Sequence, residues 1–239
     1  MKKLWMIGTV MLIISLIPIM LMMRERLIAQ EISTRYVWSA QETSWATDRI
    51  IADQKIALQQ TTIGEPVALS AFDELRDVKN GEVVSMQLVV NDEPIGEPVE
   101  AVLPQSRMDH THFYNWIAAY LVRDQQTNEQ MAVVVQRSST DDAPMNAREW
   151  RVTQVHANGD VQSQVVPYAE RSQYPFETYM INQTGTVLMS MGFYTDMLHY
   201  YPSLFFPIIF PFLSLVIGLA LIMMSVIYSW RQKRAVGAC

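Results

Sequence analysis

One short stretch of this sequence has the residue types of a metal site, Met108-Asp109-His110-Thr111-His112. On a β-strand, alternate side chains point to the same face, so His110 and His112 would lie side by side there. Two imidazoles can begin a zinc or copper site, but a third or fourth ligand is needed to complete it. His156 and His199 are distant along the chain, and two surface histidines in a turn would give the same pattern. His110 and His112 are candidate metal ligands, but the sequence predicts no resident metal or cofactor.

Other residues that could carry out catalysis are poorly arranged for it. Asp73-Glu74, Asp92-Glu93 and Asp141-Asp142 lie beside turn-forming residues, whereas acid/base catalysis needs carboxylates that converge in a cleft. The chain has no Gly-x-Ser-x-Gly elbow, phosphate-binding loop or His-Glu-x-x-His motif. Its single cysteine, Cys239, is the last residue, so no cysteine nucleophile lies in the central region. The sequence therefore predicts a protein that is not an enzyme and has no catalytic residues.

Two long uncharged stretches flank the rest of the chain. Residues 4–23 and 204–229 contain no charged residue. Each is long enough to cross a hydrocarbon core of about 30 Å as a helix, which takes about 20 residues. A cleaved signal peptide fits the first stretch poorly, because its apolar region is shorter and a small-x-small cleavage site follows it. We therefore expect two transmembrane helices, of which the first is kept as an anchor.

Small residues and basic residues indicate how these helices are arranged. Ser214 and Gly218 form a small-xxx-small pair, which allows helix backbones to approach closely. We predict that this pair packs against the first span or against a second copy of the chain. The two ends of the chain carry only basic charges, and the positive-inside rule places both ends in the cytoplasm. These topology-determining residues are Lys2, Lys3, Arg231, Lys233 and Arg234.

The region between the spans is acidic and changes character along its length. Residues 24–203 contain 24 acidic and 13 basic residues, a net charge of −11, which should repel nucleic acid. Its first part is rich in helix formers without glycine or proline, and its second part is rich in strand formers. The predicted segments are residues 1–3 (cytoplasmic), 4–23 (transmembrane), 24–60 (helical stalk), 61–203 (β-rich extracytoplasmic domain), 204–229 (transmembrane) and 230–239 (basic cytoplasmic tail).

Three hairpins are predicted inside the β-rich domain. Val83–Val90 reads as a strand with Pro98–Leu103 as its partner. The strongest signal is Asn158-Gly159, between Glu149–His156 and Val161–Tyr168, because Asn-Gly suits the positive φ angles of a type I′ turn. A third hairpin is predicted around residues 182–185, with strands at residues 179–181 and 186–191.

One part of the chain resembles a known family. The segment from Leu16 to Trp45 is similar to the N-terminal region of CreD-type inner-membrane proteins, where an apolar span runs into a helix rich in Arg, Glu and Gln. The likeness is confined to roughly the N-terminal 40 of the 239 residues. It ends at residues 46–58, which lack the glycine and prolines that the family has there, and the family has a larger domain and further spans. The resemblance implies a bacterial inner-membrane protein linked to envelope integrity. The matching positions are Ile17-Pro18, Arg24, Arg26, Gln30, Glu31 and Ser44-Trp45.

The sequence thus predicts a membrane α+β protein, with two transmembrane helices flanking a helical stalk and a β-rich extracytoplasmic domain. We expect it in the bacterial inner membrane, with both termini cytoplasmic and the central domain periplasmic. The predicted function is that of a non-enzymatic accessory or envelope-integrity protein that binds another membrane or periplasmic protein, or itself. Two alternatives remain open: a sensor or regulatory subunit that signals through its spans, and a periplasmic metal-binding or enzymatic module.

Overall fold

The computed structural model describes most of the 239-residue chain, and it divides the chain into two compact units. The first unit is Met1–Ala29 together with Met189–Cys239, and the second is Gln30–Leu188. In the described residues, the first unit is mainly helical and the second is built mainly from two antiparallel sheets, so the protein is α+β. The described residues are 2–41, 48–68, 80–104, 113, 116–140, 143–187, 190–196 and 210–236.

Two helices are long and apolar enough to cross a membrane. They are α1, Lys2–Arg35, and a C-terminal helix, Phe210–Val236. The mean hydropathy of the most apolar part is 2.5 in the first helix and 2.3 in the second. Residues 4–23 lie within α1, and the described part of residues 204–229 lies within the C-terminal helix. The structure therefore confirms the prediction of two helices of membrane-spanning length.

Ten strands are described, all of them in the second unit, together with one short α-helix and two turns of 3-10 helix. The strands are β1 (Tyr36–Ala40), β2 (Arg49–Ile51), β3 (Gln54–Thr62), β4 (Val67–Ala68), β5 (Asn80–Val90), β6 (Glu93–Pro104), β7 (Ile117–Asp124), β8 (Gln130–Arg137), β9 (Glu149–His156) and β10 (Val161–Pro167). The short helices are 3-10 turns at Met145–Ala147 and Tyr168–Gln173 and helix α2 at Pro175–Ile181. The C-terminal helix, Phe210–Val236, is α3.

The strands form two five-stranded antiparallel sheets. The first sheet has the order β1-β7-β8-β9-β10. In the second, β5 is central, with β6 along one side and β3 and β4 following one another along the other side. Strand β2 pairs with the outer side of β3. Each sheet therefore has two edges, and in the first sheet these are β1 and β10.

The predicted helical stalk is correct only as far as Arg35. The chain then enters β1 through Tyr-Val-Trp, aromatic and β-branched residues that favour a strand. Strand β3 is built from Gln, Lys, Ala and Leu, which are good helix formers, but it pairs with β5 from Ile56 to Thr62. Such tertiary pairing overrides local helix preference. The prediction of helix is therefore wrong where β1, β2 and β3 lie, and residues 42–47 are outside the described residues.

Two of the three predicted hairpins are present. Strand β5 covers Val83–Val90 and pairs with β6, which covers Pro98–Leu103. Strands β9 and β10 pair as predicted, but their turn is not type I′. Gly159 alone has a positive φ, +88°, and its N–H donates to the C=O of His156 at 2.9 Å, which makes a type I turn followed by glycine.

Type I′ geometry occurs elsewhere, and the third hairpin is absent. Asn91-Asp92, between β5 and β6, and Ala52-Asp53, between β2 and β3, have the two positive φ angles that this turn needs. The residues predicted as the strand 179–181 belong to α2, which begins at Pro175. Proline is pre-organised for the first position of a helix, and Glu177 follows in the first turn. The prediction of a hairpin around residues 182–185 is therefore wrong.

The first sheet is buried on both of its faces. Side chains from both sheets form one apolar core. Its fully buried members include Ile56, Met86, Ile117 and Val134. The other face of the first sheet is covered by α2 and residues 182–187, and Trp150 is fully buried there. This double burial explains why β8 reads as a continuous apolar run and not as an alternating one.

Candidate functional site

The two long helices of the first unit touch along small residues. Gly8 of α1 and Gly218 of α3 are both buried. A Cβ atom added to Gly218 would lie 3.0 Å from the carbonyl oxygen of Gly8, and one added to Gly8 would lie 2.8 Å from that of Gly218. The two backbones are therefore in contact here, and glycine is the residue that fits on each side. The structure places Ser214 and Gly218, the predicted packing pair, on the face of α3 that contacts α1.

A pair of hydroxyl groups joins the same two helices. Ser15 Oγ and Ser214 Oγ are both buried and lie 2.5 Å apart. Ser15 Oγ also donates a hydrogen bond to the C=O of Met11 at 2.6 Å. Because a hydroxyl has one proton, Ser214 is then the donor of the bond between the helices. Another acceptor within reach of Ser214 Oγ is the C=O of Pro211, and at 3.2 Å that bond would be longer and weaker. Interhelical hydrogen bonds of this kind contribute roughly 0.6 kcal/mol on average.

A buried carboxylate follows the apolar part of α1. Glu25 is 2% exposed. Its Oε1 accepts hydrogen bonds from the backbone N–H of Tyr194, at 2.8 Å, and from that of Thr195. The neighbouring Arg24 guanidinium lies 4.3 Å from the centre of the Tyr194 ring. A charge taken out of water must be compensated, and here two backbone amides do so at Oε1, whereas the buried Oε2 has no hydrogen-bond partner among the described residues. This contact ties residues 194 and 195 to α1.

Gly192 makes this turn possible. A Cβ atom at residue 192 would lie 1.4 Å from the carbonyl oxygen of Thr195 and 2.8 Å from Glu25 Oε1. Its N–H donates to Asp196 Oδ1 at 3.0 Å, which closes the turn. Any side chain at this position would collide with the turn or with the carboxylate. We name Glu25, Gly192, Tyr194 and Thr195 the Glu25 clamp, and its chemistry is the recognition of a carboxylate by backbone amides.

The end of α1 is fixed by an ion pair inside the second unit. Arg35 donates to Asp124 Oδ2 from Nε at 2.9 Å and from a terminal nitrogen at 2.7 Å. The Gln126 N–H donates to the other oxygen of Asp124 at 2.8 Å. The hydrogen bonds from Arg35 hold the pKa of Asp124 below its usual value, and Asp124 raises the pKa of Arg35. The pair therefore favours the charged forms of both groups.

The candidate metal ligands lie outside the described residues. His110, His112 and His199 all fall there. His156 Nδ1 lies 2.9 Å from Glu129 Oε1, an ion pair when the histidine is protonated. Within the described ranges, no three His, Cys, Asp or Glu side chains come together as a metal site requires. The hypothesis of a metal site at His110 and His112 stays a prediction.

The basic residues that should determine topology lie at matching ends of the two helices. Lys2 and Lys3 are exposed in the first turn of α1, and Arg231 is exposed near the end of α3. Lys233 and Arg234 belong to the last turns of α3. Both helix ends are therefore cationic, as a common location on one side of a membrane would require.

Edge strand β10 directs part of its backbone away from the sheet. The His156 N–H donates to the Asp160 C=O, and the Tyr168 N–H donates to the Arg148 C=O, each at 2.9 Å. Each bond joins two residues that are opposite each other in the strand alignment that also pairs Val161 with Val155. Bonded pairs alternate along an antiparallel ladder, so the even-numbered residues of β10 bond to β9. The odd-numbered N–H groups, those of Val161, Ser163 and Val165, point away from it.

The side chains of β10 do little to protect this edge. The seven residues Val161–Pro167 carry no charge, residues 162–165 are exposed, and Val165 is 39% exposed. Natural proteins block such edges with charges, proline or very short strands. In the second sheet, β6 carries three prolines and three glutamates, while β2 and β4 have only three and two residues. At the other edge of the first sheet, β1 has five residues. Strand β10 is thus the longest uncharged edge strand in the described part of the two sheets, and its one proline, Pro167, is its last residue. The next longest uncharged edge is the outer side of β3 at residues 57–62, beyond its pairing with β2.

Sequence reasoning missed the Glu25 clamp and the β10 edge. The contact between the helices had a further signal, because Gly8, Ser15 and Met22 are seven residues apart and all buried on one side of α1. The clamp had no such signal, since Tyr194 is 169 residues from Glu25.

Comparison of the chain with protein-family models, with characterised proteins and with solved structures finds no match.

Proposed function

We propose that this chain is a non-enzymatic accessory protein of the bacterial inner membrane, whose β-rich domain binds a protein partner in the periplasm. The two helices of spanning length and their cationic ends support a membrane anchor with both ends in the cytoplasm. The resemblance of residues 16–45 to CreD-type proteins supports an envelope role. Helices α1 and α3 then serve as the anchor, and the two-sheet unit serves as the binding module.

The β10 edge is the observation that carries this proposal. An extended segment of a partner can add to an exposed sheet edge, where main-chain hydrogen bonds provide affinity and side-chain contacts provide specificity. The outward N–H groups of Val161, Ser163 and Val165 supply the donors for such a strand. The absence of charge within β10 removes the usual obstacle to strand addition.

Ser163→Pro is the sharpest test of this site. Proline at residue 163 removes an outward N–H while leaving every β9–β10 hydrogen bond in place, as proline on an edge strand does. In cells that carry a photo-crosslinking amino acid at residue 162, we expect the original chain to capture a discrete protein. Ser163→Pro should lower that capture about fivefold or more, since a lost hydrogen bond costs about 1 kcal/mol and the ring also blocks the approach.

Ser163→Ala is the matched control, because it removes the hydroxyl and keeps the N–H. It should leave capture unchanged. Thermal unfolding of both variants in detergent should show that each keeps the fold. Equal capture by Ser163→Pro and Ser163→Ala, with both folded, would place the binding surface elsewhere.

A sensor or regulatory subunit is the second candidate, and it is favoured by the continuity of α1. This helix runs unbroken from Lys2 to Arg35, and its last residue bonds to Asp124 and accepts the Gln125 N–H at 2.8 Å. A subunit that signals through its spans needs a continuous element of this kind. The captured partner distinguishes the two functions: a histidine kinase or transcriptional regulator favours signalling, and a secretion or wall-assembly protein favours the accessory role.

A further inference from the structure

A groove of about 680 Å³ lies between the start of α1 and the end of α3. Lys2 and Trp5 belong to its α1 wall, and Ser225, Ser229 and Trp230 belong to its α3 wall. The volume is within the range of about 300–1,000 Å³ that is typical of small-molecule sites. Both walls therefore come from the helix pair that Gly8 and Gly218 bring into contact.

The groove lies at a strongly cationic end of the helix pair. Lys2 is part of its wall, and the sequence neighbours Lys3 and Arg231 are exposed. Residues 1–24 and 197–239 contain no Asp or Glu. The first acid along α1 is Glu25, roughly 35 Å from Lys2 at about 1.5 Å per residue. No Asp or Glu side chain of either helix therefore lies close enough to neutralise Lys2, which leaves this end of the helix pair with unbalanced positive charge.

The tryptophans indicate the depth of the groove in a bilayer. Trp5 lies in the α1 wall and Trp230 in the α3 wall, and they are 52% and 58% exposed. Tryptophan in membrane helices is enriched at the level of the lipid headgroups, where its apolar ring and its N–H are both accommodated. Ser229 Oγ donates its proton to the Ser225 C=O at 2.9 Å, so towards the groove it acts as an acceptor.

We propose that this groove binds an anionic phospholipid of the phosphatidylglycerol class. The phosphate lies against Lys2, the glycerol hydroxyls donate to acceptors such as Ser229 Oγ, and the start of an acyl chain lies against the apolar walls. Basic pockets between membrane helices bind anionic headgroups in this way. The unbalanced positive charge favours a lipid over a neutral partner helix. The site is independent of β10 and needs no protein partner.

Brominated lipids test the site on the full-length chain, because bromine quenches tryptophan fluorescence at contact. The chain is placed in phosphatidylcholine nanodiscs that are titrated with brominated phosphatidylglycerol or, in parallel, with brominated phosphatidylcholine. A Trp5→Phe/Trp230→Phe chain gives the signal of the other four tryptophans, and the difference isolates the groove. We expect half-maximal quenching at about a fivefold lower fraction of phosphatidylglycerol, the preference that one basic residue near the surface supplies.

Lys2→Gln and Lys3→Gln are matched variants, since they remove the same charge one residue apart and only Lys2 lines the groove. Lys2→Gln should abolish the preference for phosphatidylglycerol, and Lys3→Gln should retain most of it. Equal effects of the two variants would overturn the proposal, because they would indicate general attraction to a charged surface. Equal quenching by both lipids, or groove tryptophans that neither lipid reaches because a second helix covers them, would overturn it as well.

Discussion

Two acidic side chains of the β-rich unit are held in opposite ways. Asp124 receives hydrogen bonds from Arg35 and from the Gln126 N–H, and its pKa lies below its usual value. Glu177 lies in the first turn of α2 with Oε1 3.1 Å from Gln154 Nε2, and burial raises its pKa. The charged form of Asp124 therefore stabilises the folded unit, whereas the charged form of Glu177 opposes it.

Asp124 should contribute stability that depends on pH. Its folded-state pKa lies below the ordinary value of 3.8, so its contribution is present above that value and is lost as pH falls through the folded-state pKa. Asp124→Asn should lower the unfolding temperature at pH 6, and the difference from the original chain should shrink below pH 4. Thermal unfolding of the detergent-solubilised chain at a series of pH values measures this.

Glu100→Gln is the control for this experiment, because Glu100 is an exposed acid on β6. Its unfolding temperature should stay close to that of the original chain throughout the pH series. A difference between Asp124→Asn and the original chain that stays constant down to pH 2 would contradict the role of the Asp124 charge.

At the scale of elements, the sequence was informative where local chemistry decides the structure. The β9–β10 hairpin was predictable because strand-forming runs flank Asn158-Gly159. Its turn type was not predictable, because Asn-Gly also fits a type I turn with glycine following it, and only Gly159 has a positive φ. Strand β3 was not predictable, because its helix-forming residues are held as a strand by pairing with β5. Such pairing depends on residues far away along the chain.

The contact between α1 and α3 leads to a prediction about element packing. In a chain with Cys239→Ser, the pair Ser15→Cys and Ser214→Cys should form a disulfide under mild oxidation, since the native hydroxyls lie 2.5 Å apart. Gly218→Leu should reduce this crosslink about fivefold or more, because its Cβ would lie 3.0 Å from the Gly8 carbonyl oxygen and overpacking costs about 1–3 kcal/mol.

Val216→Leu is the matched control for Gly218→Leu, because Val216 lies on the same helix and is 62% exposed. It should leave the crosslink yield between residues 15 and 214 unchanged. Equal yields from Gly218→Leu and the original chain would show that the two helices do not depend on this close contact.

Over the entire chain, the helices of spanning length were predictable because the length and composition needed to cross a bilayer can be read directly from the residues. About 20 consecutive apolar residues are needed to cross it, and residues 4–23 meet that demand without any knowledge of the fold. The Glu25 clamp was not predictable, because the donors to the carboxylate are backbone amides, which every residue except proline has. The only residue type that its geometry requires is the glycine at position 192. The candidate binding edge on β10 likewise depends on which strand is outermost, and that order is a property of the assembled sheet.

The proposed topology gives a prediction for the entire chain. With both ends in the cytoplasm, the polar loop before β9 is periplasmic, so a phosphatase reporter fused after Asn146 should be active. The same reporter fused after Arg234 should be silent, because the phosphatase folds only outside the cytoplasm. Arg24 and Arg26 oppose this orientation, but they lie at the far end of the first span, where long side chains can reach the headgroups. The basic residues at the two chain ends, Lys2 and Lys3 with those at the end of α3, outnumber them. Reversed reporter activities would mean that another feature determines the orientation. They would also contradict the proposal of a periplasmic binding site at β10.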